Sequence, residues 1–201
     1  MSSTTPAVPA AALCGAVSGL LIALPGLVEA FTGETAATSF LLALAPAFAL
    51  PLLVGVHLRQ SAAAGRFGAV AFTVNLIGLG LFGGAAYAGN LVLFLFDEDV
   101  VEETLTGPTV AALFGSAALF ALGCALFGAA MVRAGVLPRV PAWAYAVVIP
   151  PFAFVTALPD SLLNSALHVV VGTVLIGLAA ALHRHRADEG RAPAVQASFR
   201  S

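Results

Sequence analysis

Residues 67–95 read FGAVAFTVNLIGLGLFGGAAYAGNLVLFL, an unbroken apolar stretch without a single Asp, Glu, Lys or Arg. Arg66 comes directly before this stretch, and Asp97 stands two residues after it. About 20 apolar residues suffice to cross the hydrocarbon core of a bilayer as a helix. We therefore predict a transmembrane helix whose two ends carry charges of opposite sign.

The same pattern recurs along the chain and decides the fold class. Of the 201 residues, 60% are hydrophobic and 9% are charged, a composition that excludes both soluble domains and disordered chains. The alternating segments of about ten residues that make up a membrane β-barrel are absent. We predict an all-α, polytopic transmembrane helix bundle with six spans, at residues 8–30, 37–58, 67–95, 108–132, 141–159 and 161–183.

The charged residues predict the orientation of the bundle. All eight basic residues are Arg, and they fall between spans 2 and 3, between spans 4 and 5, and after span 6. The positive-inside rule makes that side, and both termini, cytoplasmic. We predict a plasma-membrane protein, in a bacterial inner membrane, in contact with the lipid bilayer. Residues 1–186 are predicted to form one transmembrane domain and residues 187–201 a short disordered cytoplasmic tail.

Several kinds of chemistry are excluded by the composition. Without lysine there is no Schiff-base cofactor and no GxxxxGK[ST] phosphate loop. A formal net charge of −2 gives no reason to expect nucleic acid. Cys14 and Cys124 lie in apolar segments without metal-ligand spacing, so we interpret both as small buried hydrophobes. We predict no cofactor and no metal site.

The most informative residues are polar groups at membrane depth. Asp160, Asn164 and His168 stand at i, i+4 and i+8, so they share one face of span 6 within an arc of about 80°. A charged side chain costs about 2.5–3.5 kcal/mol at the centre of a membrane helix, so such residues usually have a function. Glu29 ends span 1 on the same outer side of the membrane.

Span 3 contributes two further polar residues at this depth, Tyr87 and Asn90. We predict that residues from three spans line an outward-facing pocket. Its catalytic candidates are Glu29, Asp160 and His168, and its substrate-binding candidates are Tyr87, Asn90 and Asn164. Five of the six also have a structural interpretation: a helix N-cap for Asp160, a headgroup contact for Glu29, interhelical hydrogen bonds for Asn90 and His168, and an aromatic belt for Tyr87.

Two features predict how the helices pack. Gly15-xxx-Gly19 and Gly80-xxx-Gly84 are small-xxx-small motifs, which we interpret as contacts within the bundle rather than as dimer contacts. Prolines inside the spans kink helices, and kinked helices often surround a cavity. The kinks alone leave the existence of a cavity open.

One class of function is an intramembrane enzyme that acts on a lipophilic small molecule. Burial favours the protonated form of a carboxyl group, which then serves as a general acid. In size, in helix count and in the outer-half acids Glu29 and Asp160, the chain resembles the compact integral-membrane terpene cyclases of meroterpenoid pathways. In that family an acidic side chain protonates an alkene or epoxide of a prenylated substrate. The resemblance implies a cyclase or isomerase whose acids are Glu29 and Asp160, although one Trp and two Tyr are few for the family.

The alternative class is a non-enzymatic accessory subunit, with a membrane-protein partner, or a small transporter. In residues 126–139 and 167–172 the chain resembles the uncharacterised small polytopic membrane proteins of high-GC bacteria. A transporter typically shows internal repeats and a polar path across both leaflets. Here the polar groups are concentrated in the outer half, which argues against a path through the membrane.

Overall fold

The computed structural model describes residues 7–156 and 161–198, with the backbone alone at Ala7, Glu98 and residues 185–198. All regular structure in these ranges is helical, so the predicted all-α fold is confirmed. A 3-10 turn at Leu93–Leu95 stands between the second and third helices. The helices are α1 (Ala7–Thr32), α2 (Ala36–Leu91), α3 (Glu98–Thr104), α4 (Pro108–Ala134), α5 (Arg139–Val155) and α6 (Leu162–Ser198).

Helix α2 covers both the second and the third predicted span, and it bends at Gly65. This residue has φ 57° and ψ −151°, a conformation open almost only to glycine. We call residues 36–64 the first arm of α2 and residues 66–91 its second arm. The sequence predicts a connecting loop at residues 59–66, but most of it is helical because its three consecutive alanines favour helix.

The two arms of α2 run antiparallel and side by side. His57 stacks on Phe72 with ring centroids 4.0 Å apart. A Cβ atom added to Gly83 would lie 2.9 Å from Pro46 Cβ, whereas a straight helix would separate these residues by about 55 Å. Both pairs are centred on residues 64–65, so α2 is a helical hairpin with Gly65 at its tip.

Local sequence explains where the outer helix ends lie. Gly33 has φ 70°, and its N–H donates to the carbonyl of Glu29 at 3.0 Å, which closes α1. Two residues later Thr35 and Thr38 form a reciprocal capping box that starts α2. The tight link between α1 and the first arm of α2 follows from these two signals.

The helices are arranged as a closed ring. Helix α1 packs on the first arm of α2, where Ser18 Oγ donates to the Ala45 carbonyl at 2.8 Å. The second arm packs on α4, and a Cβ atom on Gly78 would lie 2.6 Å from Phe120 Cα. Helix α4 contacts α5, α5 contacts α6, and α6 returns to α1. Six helical rods, counting the arms of α2 separately, therefore surround a common centre.

Glycine allows a close backbone approach between α1 and α6. A Cβ atom on Gly19 would lie 2.5 Å from the Gly172 carbonyl oxygen, and one on Gly15 would meet the Leu52 side chain. The Gly15-xxx-Gly19 motif thus packs within the bundle, as predicted. Added Cβ atoms on Gly80 and Gly84 meet no described atom within 4 Å, so this second motif does not make the predicted contact.

Opposite charges collect at opposite ends of the bundle. Arg59 and Arg66 flank the tip of the α2 hairpin, and Arg133 Cζ lies 5.1 Å from the centre of the Phe67 ring at the same end. The acidic residues of α3 belong to the other end, where α2 stops and α4 begins. The acidic run at residues 97–103 is mostly the short helix α3, whose first turn follows Asp97 as N-cap.

The outer faces of the helices are apolar, as expected for contact with lipid. Leu13 is 67% exposed, Val70 61% and Leu122 53%, although each lies well inside its helix. By length and composition, Val8–Thr32, Ala36–Leu95, Pro108–Ala134 and Leu162–Arg184 could each cross a membrane, and Arg139–Val155 is a shorter apolar helix. The fold is that of a multi-pass membrane protein.

Helix α6 continues beyond the predicted end of the membrane domain. Its backbone is helical to Ser198, whereas the sequence predicts a disordered tail from residue 187. The four alanines of residues 187–198 favour helix, whereas Gly190 and Pro193 oppose it, so helix propensity alone does not account for this extension. The division of the chain at residue 186 stays a prediction.

Candidate functional site

A cavity of about 990 Å³ occupies the centre of the helical ring. It is deep, because α6 lines it from Asn164 to Leu178, which is about 21 Å of helix at roughly 1.5 Å per residue. The first arm of α2 lines it over the same length, from Leu42 to Val56. The space is therefore long enough for an extended hydrocarbon chain.

The body of the cavity is apolar and rich in aromatic rings. Its aliphatic lining includes Val56, Leu79, Ile149 and Val171. Six phenylalanines also line it: Phe82, Phe114, Phe120, Phe127, Phe152 and Phe154. Phe82 stacks on Phe120 with ring centroids 4.6 Å apart, which presents a fixed pair of aromatic surfaces. Such surfaces bind apolar chains and stabilise positive charge.

Polar side chains gather at the outer end of the cavity. We call this set the rim. Its members lie near helix ends or, for Glu34, in the link between α1 and α2, where the six rods begin or stop. The rim consists of Glu29, Glu34, Asn90, Thr109, Thr156 and Asn164. The cavity thus combines a polar opening with an apolar body, the usual design of a site for a lipophilic ligand.

Asn164 and His168 form one unit just inside the rim. His168 Nδ1–H donates to the backbone carbonyl of Asn164 at 2.9 Å, so in the neutral imidazole the lone pair is on Nε2. The His168 ring also meets the Phe152 ring edge-on, with centroids 5.0 Å apart. Both polar residues are buried, at 7% exposure for Asn164 and 6% for His168. Asn164 Oδ1 has no hydrogen-bond partner among the described residues.

Two carboxylates line the opening in different environments. Glu29 is half-buried near the end of α1. Glu34 is exposed in the link to α2, and its Oε1 accepts a hydrogen bond from Ser39 Oγ. Glu29 therefore has the environment that suits a general acid, whereas Glu34 is held as a surface carboxylate.

Four of the six residues predicted to form a pocket line this cavity. Glu29, Asn90, Asn164 and His168 come from α1, the second arm of α2 and α6, as expected from their common depth. Asn90 Nδ2 donates to the carbonyl of Ala86 at 2.8 Å, so part of its polarity serves its own helix. The catalytic and binding roles of these residues stay predictions.

The other two predicted residues do not join them in the described structure. Asp160 lies outside the described residues. Tyr87 is 52% exposed and lines a separate shallow groove between the two arms of α2. The cavity-facing side of the second arm carries Phe82, Ala86 and Asn90, and Tyr87 projects about 100° away from Ala86. The prediction of Tyr87 as a pocket residue is not met because depth along a helix does not determine the facing direction.

A buried polar cluster borders the cavity at depth and was not predicted. Asn75 Nδ2 donates to Tyr145 Oη at 2.7 Å, and the Cys124 thiol donates to Asn75 Oδ1 at 3.3 Å. Tyr145 lines the cavity and is 6% exposed. The sequence holds one signal for it: Ala142, Tyr145, Ile149 and Phe152 recur at helical spacing and identify the inner face of α5.

No group of three His, Cys, Asp or Glu side chains in the described part of the chain could hold a metal ion. The candidate site is therefore a lipophile-sized cavity with one half-buried carboxylate, one oriented imidazole and one orphaned amide oxygen. No protein-family model matches the chain, and neither the curated proteins nor the solved structures contain a significant match.

Proposed function

We propose that this protein is an intramembrane enzyme that isomerises or cyclises a lipophilic, isoprenoid-like molecule bound in the central cavity, with Glu29 as the general acid. The observation that carries the proposal is the position of Glu29. Its half-buried carboxyl group stands at the polar opening of an apolar cavity of about 990 Å³. Acid-initiated cyclisation requires at least a carboxylic acid in contact with an enclosed alkene.

The chemistry balances without a cofactor. The Glu29 O–H bond breaks as the alkene π electrons form a new C–H bond, which leaves a carbocation on the substrate. A second double bond of the substrate attacks this cation and closes a ring. Loss of a proton to a base then restores an alkene, and return of that proton from the base to Glu29 restores the acid, so product and substrate are isomers. His168 Nε2, which carries the lone pair in the neutral imidazole, has the right form for that base.

The aromatic lining supports the same assignment. A carbocation in an apolar space needs stabilisation that does not react with it, and ring faces supply this stabilisation. Six phenylalanines line the cavity, so the scarcity of Trp and Tyr in the chain does not leave it without aromatic surfaces. Asp160, the second predicted acid, stays a candidate for the same role.

The proposal is tested by the small molecules that purify with the protein in mild detergent. We expect wild type to carry two lipophiles of equal mass that separate by chromatography, the substrate and its rearranged isomer. Glu29→Gln should retain the substrate alone, because loss of a general acid lowers turnover by about 10²–10⁴-fold. Liquid chromatography with mass spectrometry measures both species.

Glu102→Gln is the matched control, since Glu102 is an exposed carboxylate of α3 and does not line the cavity. It should behave as wild type. An identical isomer ratio in all three proteins would refute acid catalysis by Glu29. Bulk phospholipid alone on every variant would favour the accessory-subunit or transporter alternative.

We further infer that the six helical rods all span a plasma membrane, with the arginine-rich end and both termini in the cytoplasm. The support is the segregation of charge between the two ends of the bundle and the positive-inside rule. We propose that this membrane is a bacterial inner membrane.

Two single-cysteine additions test this orientation. Ser61 and Thr106 are both exposed, the first near the tip of the α2 hairpin and the second just before α4. On intact cells, a membrane-impermeant maleimide should label Thr106→Cys strongly and Ser61→Cys at the level of the parent chain. Opening the cells should bring both to equal labelling. Labelling of Ser61→Cys on intact cells would reverse the assigned orientation.

A further inference from the structure

The rim of the cavity selects a particular kind of head group. Its acidic members are Glu29, which the proposed function uses in its protonated form, and Glu34, and none of the described lining residues is Arg. At this end three helical rods begin, namely the first arm of α2, α4 and α6. Three others stop there, namely α1, the second arm of α2 and α5, so the helix dipoles offset one another. Because the described lining supplies no arginine to pair with an anion, the opening disfavours a phosphate, diphosphate or carboxylate head.

Asn164 adds a directional requirement. It is 7% exposed, lines the cavity, and its Oδ1 has no hydrogen-bond partner among the described residues. A buried amide oxygen without a donor costs about 1–3 kcal/mol, so such an atom in a binding cavity indicates a missing donor. The neighbouring backbone carbonyl of Asn164 already accepts from His168 and needs no further partner.

Together these observations identify the class of ligand. We propose that the cavity binds a lipophile whose head is a hydrogen-bond donor, an alcohol or an amine, with that head donating to Asn164 Oδ1 and the hydrocarbon chain extending toward Tyr145. This inference rests on the proposed function for the presence of a lipophile and adds the chemistry of its head group. It excludes isoprenoid diphosphates as substrates.

Three probes with the same tail and different heads test the inference: farnesol, farnesylamine and farnesyl phosphate. Binding of each radiolabelled probe is measured to the full chain in lipid nanodiscs. We expect the alcohol and the amine to bind at least about tenfold more tightly than the phosphate. The order of the two donor heads shows whether the carboxylates contribute charge attraction in addition to the hydrogen bond.

Asn164→Leu tests the anchoring atom through two readouts that move in opposite directions. It should weaken farnesol binding about fivefold, because one hydrogen bond is lost. It should also raise the thermal unfolding temperature of the empty protein, because an unsatisfied buried oxygen is removed. Thr173→Val, an exposed position on the same helix and outside the cavity, should change neither quantity.

The outcomes separate this inference from the proposed function. Phosphate binding as tight as alcohol binding in wild type overturns the inference alone and requires no variant to fold. Unchanged farnesol affinity in a folded Asn164→Leu protein does the same. If none of the three probes binds, the inference is overturned. If, in addition, no pair of isomers purifies with the protein, the proposed function is refuted as well.

Discussion

Gly172→Ala is expected to unfold most of the protein at temperatures where wild type is stable. A Cβ atom at this position would overlap the carbonyl oxygen of Gly19 and would lie 2.6 Å from Ala23 Cβ and 2.7 Å from Ala23 N. Two of these three atoms belong to the backbone of α1, so no side-chain rotation can relieve the clash. Overpacking of this kind costs about 1–3 kcal/mol or more.

Because α1 and α6 close the ring, separating them opens the cavity as well. We expect a decrease of roughly 10 °C in the midpoint of thermal unfolding, together with loss of any bound lipophile. Gly177→Ala is the control on the same helix, since an added Cβ atom there meets no described atom within 4 Å. It should be neutral or stabilising by about 0.5–1 kcal/mol. Equal midpoints for the two variants would contradict the described α1–α6 contact.

Asn75→Ala should produce the second large effect. Asn75 is fully buried and bonds both Tyr145 and Cys124, so its truncation leaves these two groups with only their mutual 3.6 Å contact and creates a void. Each unsatisfied group costs about 1–3 kcal/mol. We expect a loss of about 3 kcal/mol in the free energy of unfolding, measured in one detergent at one protein concentration.

A double-mutant cycle with Tyr145→Phe isolates the Asn75–Tyr145 hydrogen bond. Removing the tyrosine hydroxyl alone should cost about 1 kcal/mol, and the double variant should lose less than the sum of the single losses. Thr73→Ala, an exposed residue two positions away on the same arm, should cost less than about 0.5 kcal/mol. Strict additivity of Asn75→Ala and Tyr145→Phe would show that the 2.7 Å contact contributes no stability.

The helices themselves could be predicted from hydropathy, because apolar length alone determines which segments suit a membrane. The first predicted span, residues 8–30, differs from α1 (Ala7–Thr32) by only one or two residues at each end. The hairpin of α2 could not be predicted to this precision. Hydropathy locates the polar stretch RQSAAAGR at residues 59–66 but does not reveal that helix continues through it to Gly65.

The candidate site was predictable where one helix carries the information. Asn164 and His168 are four residues apart, so their common face follows from helix geometry, and both line the cavity. Asn75, Cys124 and Tyr145 come from three separate helices, and no local pattern in one sequence pairs them. For Tyr87, the sequence indicates the depth in the membrane but not the direction in which the side chain faces. That direction depends on how the two arms of α2 pack against each other.

The central cavity also determines how the protein responds to its solvent. The rods enclose a cavity along about 21 Å of α6, so the part of the bundle around it lacks the axial column of interlocked side chains found in a solid helix bundle. Whatever fills the interior acts as a replaceable core, and it stabilises the fold in proportion to the logarithm of its concentration. The straight alkyl tails of detergents match the length and polarity of this cavity. The detergent used for solubilisation therefore also occupies the cavity and affects the stability of the fold.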